Sequence, residues 1–86
     1  MTIIFSKRFL SAHGRLPPEI RKKVKKALKL LDTNPRHSSL RVHPIKGSDG
    51  IYEARIDQKY RMSFQFDGEN KVLRNVDNHD ECLKNP

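Results

Sequence analysis

Tyr52-Glu53-Ala54-Arg55-Ile56-Asp57 and Tyr60-Arg61-Met62-Ser63-Phe64-Gln65-Phe66, separated only by Gln58-Lys59, decide the architecture of this chain. In each run side-chain character alternates with a period of two, the signature of a pleated strand. Tyr52, Ala54 and Ile56 point one way, and Glu53, Arg55 and Asp57 the other. Tyr60, Met62, Phe64 and Phe66 share the apolar side of the second run, with Arg61, Ser63 and Gln65 opposite. A connection as short as Gln58-Lys59 makes the pair an antiparallel hairpin. Asp67-Gly68-Glu69-Asn70 is a second turn, and residues 71–77 form a third strand with Val72 and Val76 in phase. Arg74 between them is out of pattern and suggests a sheet edge.

Upstream of the hairpin, Gly47-Ser48-Asp49-Gly50 is a turn cluster, and Leu40-Arg41-Val42 reads as a short extended segment running into the sheet. Residues 36–39 are a loop. Residues 17–31 read as a helix, opened by Pro17-Pro18. Ile20, Val24, Ala27, Leu28 and Leu31 recur at i, i+4, i+7, i+8 and i+11, one buried stripe, while Arg21, Lys22, Lys23, Lys25, Lys26 and Lys29 fill the rest. Asp32-Thr33-Asn34-Pro35 stops it. Residues 7–13 allow a shorter helix with Phe9, Leu10 and Ala12 on its apolar side, capped by Ser6 and ended by Gly14. Thr2-Ile3-Ile4-Phe5-Ser6 is a short β-branched strand.

The expected fold class is therefore α+β: an N-terminal strand, then two helices packed on one face of an antiparallel sheet of about four strands. The Glu53/Arg55/Arg61 face is expected to stay open. Residues 1–86 read as a single domain without repeats or an interior linker. The one cysteine, Cys82, excludes an internal disulfide and fits a reducing, cytoplasmic setting. It reads as a small apolar side chain rather than a nucleophile. No run suits a signal peptide or a membrane span.

Eighteen basic residues against ten acidic ones leave a formal charge of +8, which points to a polyanionic partner, nucleic acid first. Arg55 and Arg61 share one face of adjacent strands and suit a phosphate. Lys46 adds a third cation from the loop before the sheet. His79 follows the last strand, and His43 begins the loop that carries Lys46. Cleavage of RNA by its own 2′-hydroxyl needs a base, an acid and cations around the pentacoordinate phosphate. His79 and His43 suit proton transfer, Glu53 is an alternative base, and Arg61, Arg55 and Lys46 suit charge stabilisation. Lys22, Lys23, Lys26 and Arg41, with Lys46 and Arg55, are candidate RNA-binding cations. No cofactor is required, and no His or Cys spacing marks a metal site. A purely structural alternative stands beside this: Glu53 and Arg55 as cross-strand ion pairs, and His79 as a strand-end cap.

Three segments carry a resemblance over nearly the whole chain: His43-Pro44-Ile45-Lys46-Gly47, the hairpin Ala54-Arg55-Ile56-Asp57 with Tyr60-Arg61-Met62-Ser63-Phe64, and Asn78-His79-Asp80-Glu81. In order and spacing they resemble the RelE/ParE superfamily of bacterial toxin–antitoxin toxins. That resemblance implies a small basic toxin neutralised by a cognate acidic antitoxin, in a toxin–antitoxin hetero-oligomer. In the RelE-like branch it implies an mRNA endoribonuclease acting in the ribosomal A site and so inhibiting translation. In the ParE-like branch it implies inhibition of DNA gyrase, and a catalytically silent RNA- or protein-binding member is a third reading. By the same resemblance His43 matches a functional histidine of YafQ-like toxins, Arg61 the central-strand arginine of RelE-like ones, and His79 the histidine after the last strand in YafQ- and YoeB-like ones. The antitoxin would lay an apolar helix or strand on the domain and screen Arg55, Arg61 and Lys46. This chain departs from the pattern twice. Leu83 stands where YafQ-like toxins carry an aromatic, and Arg55 stands where they carry a second histidine.

Overall fold

Strand β1 (Ile3–Phe5), helices α1 (Lys7–Gly14) and α2 (Pro18–Thr33), strands β2 (His43–Pro44), β3 (Ile51–Arg55), β4 (Tyr60–Asp67) and β5 (Asn70–Asn78), and helix α3 (His79–Lys84) follow in chain order. They come from a computed structural model that describes residues 2–86. The described strands form one sheet of five in the order β1-β5-β4-β3-β2. That is one more than expected. β2 is a two-residue edge, and β1 joins β5 in parallel, so the sheet is mixed.

The helices form where caps and stripes demand them. Ser6 accepts the Phe9 amide at 3.0 Å to cap α1, and its hydroxyl donates to the Arg74 carbonyl at 3.3 Å, tying the helix start to β5. Pro18 opens α2. Ile20, Val24, Ala27 and Leu31 are buried against Ala54, Met62, Phe64, Leu73 and Val76 of the sheet, with Phe9 of α1 in the same core. Leu28 is only partly buried, and Leu10 faces outward.

Four expectations are corrected. Leu40 is not extended: Ser38–Leu40 is a 3-10 turn that plugs Leu40 into the core. Arg41 after it is left-handed at φ 45°. The third strand is not an edge, because β1 and β4 flank it. Its phase is also different. Ser63 pairs with Asn75 but Phe64 pairs with Leu73, so Arg74 is an extra residue in a β-bulge. The bulge flips the alternation, which lets Leu73 and Val76, three apart, both reach the core, while Val72 does not. Phe66, expected inside, is 49% exposed near the far end of β4.

The largest correction concerns the face expected to be open. The chain does not end in a tail after β5. Asn78 accepts the Glu81 amide at 3.0 Å and starts α3, a third helix, which packs on β4 and β5 on the side away from α2. Cys82 is fully buried there, and Glu53 and Ser63 are buried with it. The carbonyls of Asn85 and Pro86 then accept from Asn75 (2.9 Å), Arg74 (3.4 Å) and Arg8, closing the chain over the bulge.

Candidate active site

The turn between β3 and β4 is held by Asp57. Its Oδ1 accepts the amides of Lys59 and Tyr60, both at 2.8 Å, and its Oδ2 meets the Lys23 ammonium at 3.1 Å. Burial would raise the Asp57 carboxyl, but the Tyr60 amide, Lys23 and the Lys59 amide outweigh it and hold the group below the ordinary carboxylate value. The turn in turn holds two arginines. Arg55 donates through Nε to the Asp57 carbonyl at 3.3 Å, and Arg61 donates through Nη1 to that same oxygen and to the Tyr60 carbonyl at 2.9 Å. Arg55 and Arg61 are also direct cross-strand partners. Two like charges so placed repel, and the shared carbonyl is what offsets this.

Arg61 has an anionic anchor. Its Nε lies 3.4 Å from Glu53 Oε1, and His43 Nε2 lies 3.7 Å from the same oxygen. Glu53 is only 2% exposed, and the Arg61 guanidinium is the fixed cation beside it. His43 Nδ1 faces the Arg41 carbonyl at 2.6 Å, and the left-handed turn at Arg41 is what aims that carbonyl. Nδ1 donates to that carbonyl, which leaves Nε2 turned toward Glu53. The result is a His43–Glu53–Arg61 chain crossing β2, β3 and β4.

Arg61 Nη2 makes no hydrogen bond among the described residues. Arg61 is among the residues that line an open cleft of about 560 Å³, with Gln58, Lys59, Tyr60, Asn78, His79 and Asp80. His79, the first residue of α3, is fixed there by its own amide, which donates to the Lys59 carbonyl at 2.7 Å. Its side chain is about half exposed, with Nδ1 3.5 Å from Asp80 Oδ1. The structure therefore brings Arg61 and His79 to one cleft and links His43 and Glu53 to it through Arg61.

Other candidates lie elsewhere. Lys46 is corrected: its loop closes onto Ile51, the opposite end of β3 from Arg55, so about 13 Å of strand separates it from the cleft. Glu53 is corrected as a base, since burial keeps it from any substrate. Lys22, Lys23 and Lys26 are exposed on α2, on the other side of the sheet, and Lys23 is engaged by Asp57. Arg41 borders a different cleft. Lys59 and Tyr60 were missed by the sequence reading, which took Tyr60 as core only. Their position at a hairpin turn was the available signal. The Cys82 thiol is raised to about 11, by burial first and then by the Glu53 charge, so it is no nucleophile.

No protein-family model matches the sequence, and no curated protein sequence does. Solved structures do. A chain of the RelB–RelE antitoxin–toxin complex from Methanococcus jannaschii superposes with a TM-score of 0.75 at 23% identity, over 94% of this chain and 95% of that one. The YoeB/ParE toxin from Agrobacterium tumefaciens gives 0.76 at 15% identity, over 92% and 99%. A chain of the Escherichia coli DinJ–YafQ toxin–antitoxin complex gives 0.76 at 18% identity, over 92% of each. The resemblance read from the sequence holds at the level of three-dimensional structure: this chain has the fold of the RelE-like toxins.

Proposed function

We propose that the protein is the toxin of a toxin–antitoxin pair and acts as a metal-independent endoribonuclease on mRNA in the ribosomal A site. The observation that carries this reading is that Arg61 and His79 line one open cleft, beside Lys59 and Tyr60. There His79 takes the 2′-hydroxyl proton. Asp80 Oδ1 lies 3.5 Å from Nδ1 and orients the ring. The 2′ oxygen attacks phosphorus and the bond to the 5′ oxygen breaks, giving a 2′,3′-cyclic phosphate and a 5′-hydroxyl end. Arg61 and Lys59 stabilise the extra charge on the phosphate. The leaving oxygen is protonated by water in the open cleft. His43 and Glu53 are positioning residues that hold Arg61. The antitoxin partner is supported by the toxin–antitoxin complexes among the structural neighbours and by the exposed apolar residues Ile4, Phe5, Leu10 and Leu83.

The test is translation of a defined mRNA with and without ribosomes, with 5′ ends mapped by primer extension. New ends inside the coding region, seen only with ribosomes and lost in His79→Ala, are expected. Intact message throughout would overturn the nuclease reading. A second reading, non-nucleolytic inhibition of gyrase, is favoured by Leu83, which leaves α3 without an aromatic to stack on a base. A supercoiling assay separates the two.

A further inference from the structure

A second cleft, of about 470 Å³, lies at the far end of β4 and is lined by Pro35, Arg36, His37, Ser38, Arg41, Val42, Phe66 and Lys71. Five residues of strand, about 17 Å, separate Phe66 from Arg61. No Asp or Glu lines it, whereas the exposed Arg36, Arg41 and His37 do, together with the buried Lys71. Arg36 and Arg41 are exposed, and among the described residues neither side chain has an ion-pair or hydrogen-bond partner. Arg41 is the single described non-glycine residue with positive φ, and such strain gathers at functional positions.

Phe66 supplies the other half of the chemistry. Its ring stands steeply against Tyr52 (76°) and Phe64 (81°), which fix its orientation. Lys71 Nζ sits 5.9 Å from the ring centroid, and Lys71 is buried. Phe66 is about half exposed and lines the cleft, so part of its ring is open to solvent there. A flat aromatic face flanked by exposed guanidiniums is what a nucleobase and its phosphate need together, and stacking on such a face tolerates any base. An acidic peptide would use the cations but not the ring.

We propose that this cleft is a second nucleotide subsite, in which one base of single-stranded RNA stacks on Phe66 while its phosphate lies between Arg36 and Arg41. Its test reads binding rather than cleavage, so it can fail without the nuclease reading failing, and the reverse.

A fluorescein-labelled oligouridine hexamer, followed by anisotropy, is the probe. Phe66→Leu, Arg36→Ala and Arg41→Gly should each weaken binding by about 5- to 10-fold. Inorganic polyphosphate, which has charge but no base, should lose affinity with the arginine variants and not with Phe66→Leu. Arg41→Gly relieves the positive φ, so its Tm should equal or exceed that of the parent while binding falls. A 4-thiouridine hexamer should crosslink within residues 35–42 or at 66–71. Unchanged hexamer binding by Phe66→Leu, crosslinks confined to residues 58–61, or tighter binding of a glutamate-rich peptide than of the hexamer would each overturn the proposal.

Discussion

At the scale of single residues, Glu53 decides how the site must be tested. Reading Arg61 as an exposed sheet cation would make Arg61→Ala harmless to the fold. In the structure Arg61 is 15% exposed and neutralises a buried carboxylate, so its removal strands a charge. We expect Arg61→Ala to destabilise by about 3 kcal/mol. Adding Glu53→Gln should recover about 1–3 kcal/mol of this, measured as a double-mutant cycle by urea denaturation. Strict additivity would refute the ion pair. Arg61→Lys keeps the charge and loses the fork, and is therefore the variant for activity assays. Cys82 gives a pH signature. Its folded thiol titrates near 11 against 9.0 for an ordinary thiol, so it binds its proton more tightly when folded. That stability is complete below pH 9 and disappears as pH rises through 9 to 11, roughly 2–3 kcal/mol in all. Cys82→Ser should flatten the alkaline limb of the stability curve. A limb of unchanged slope would show that another group is responsible.

At the scale of elements, the bulge at Arg74 is the feature that sets the phase of β5. Regular alternation from Val76 points to Val72 and Arg74 as its companions on one face. The extra residue makes Leu73 the companion instead. The two valines should therefore respond unequally. Val76→Ala is expected to cost about 2 kcal/mol, and Val72→Ala well under half of that, in the same denaturation assay. Equal effects would return β5 to a regular strand. The β3–β4 turn makes a matching demand on Asp57. Its carboxyl is held below the ordinary value, so its contribution is present above that value and is lost as pH falls through the lower, folded one. Asp57→Asn keeps the acceptor for the two turn amides and loses the Lys23 pair. It should be milder than Asp57→Ala, which also frees Arg55 and Arg61 to move apart. The gap between the parent and Asp57→Asn should appear in thermal melts at pH 7 and narrow below pH 4, while the gap between the two variants should not change with pH.

At the scale of the whole molecule, a sheet read as open on one side is covered on both. α2 takes the apolar side and α3 the polar one, with Cys82 set against Glu53 and Ser63. Glu53 Oε2 and Ser63 Oγ have no hydrogen-bond partner among the described residues, so this second layer holds polar groups that prefer water. Ending the chain at Asn78 should hydrate them and also remove His79 from the cleft. We expect such a protein to keep its helical far-ultraviolet signal from α1 and α2, lose stability, and lose cleavage. Retained cleavage would show that the proton carrier is not on α3. No described helix is long and apolar enough to cross a membrane.

The sequence by itself determined the elements whose signals are local. The period-two hairpin, the five-residue stripe of α2, the Ser6 cap and the proline start need only neighbours along the chain, and their order was enough to class the fold. The places of Arg61 and His79 beside strand ends were also legible, because each sits at a fixed offset from one, while their roles belong to the proposal above. Only the tertiary structure decided which of the other candidates join them. Lys46 and Arg61 both read as cations near the sheet, but the direction of β3 sends them to opposite ends of it. Glu53 reads as a surface acid until the chain, after the last strand, folds a helix across it. The bulge, the fifth strand and the burial of Glu53 all depend on pairings between distant segments. A hydrophobic pattern reports burial against something, without saying what, and a lone glutamate reports nothing until the helix that covers it is in place.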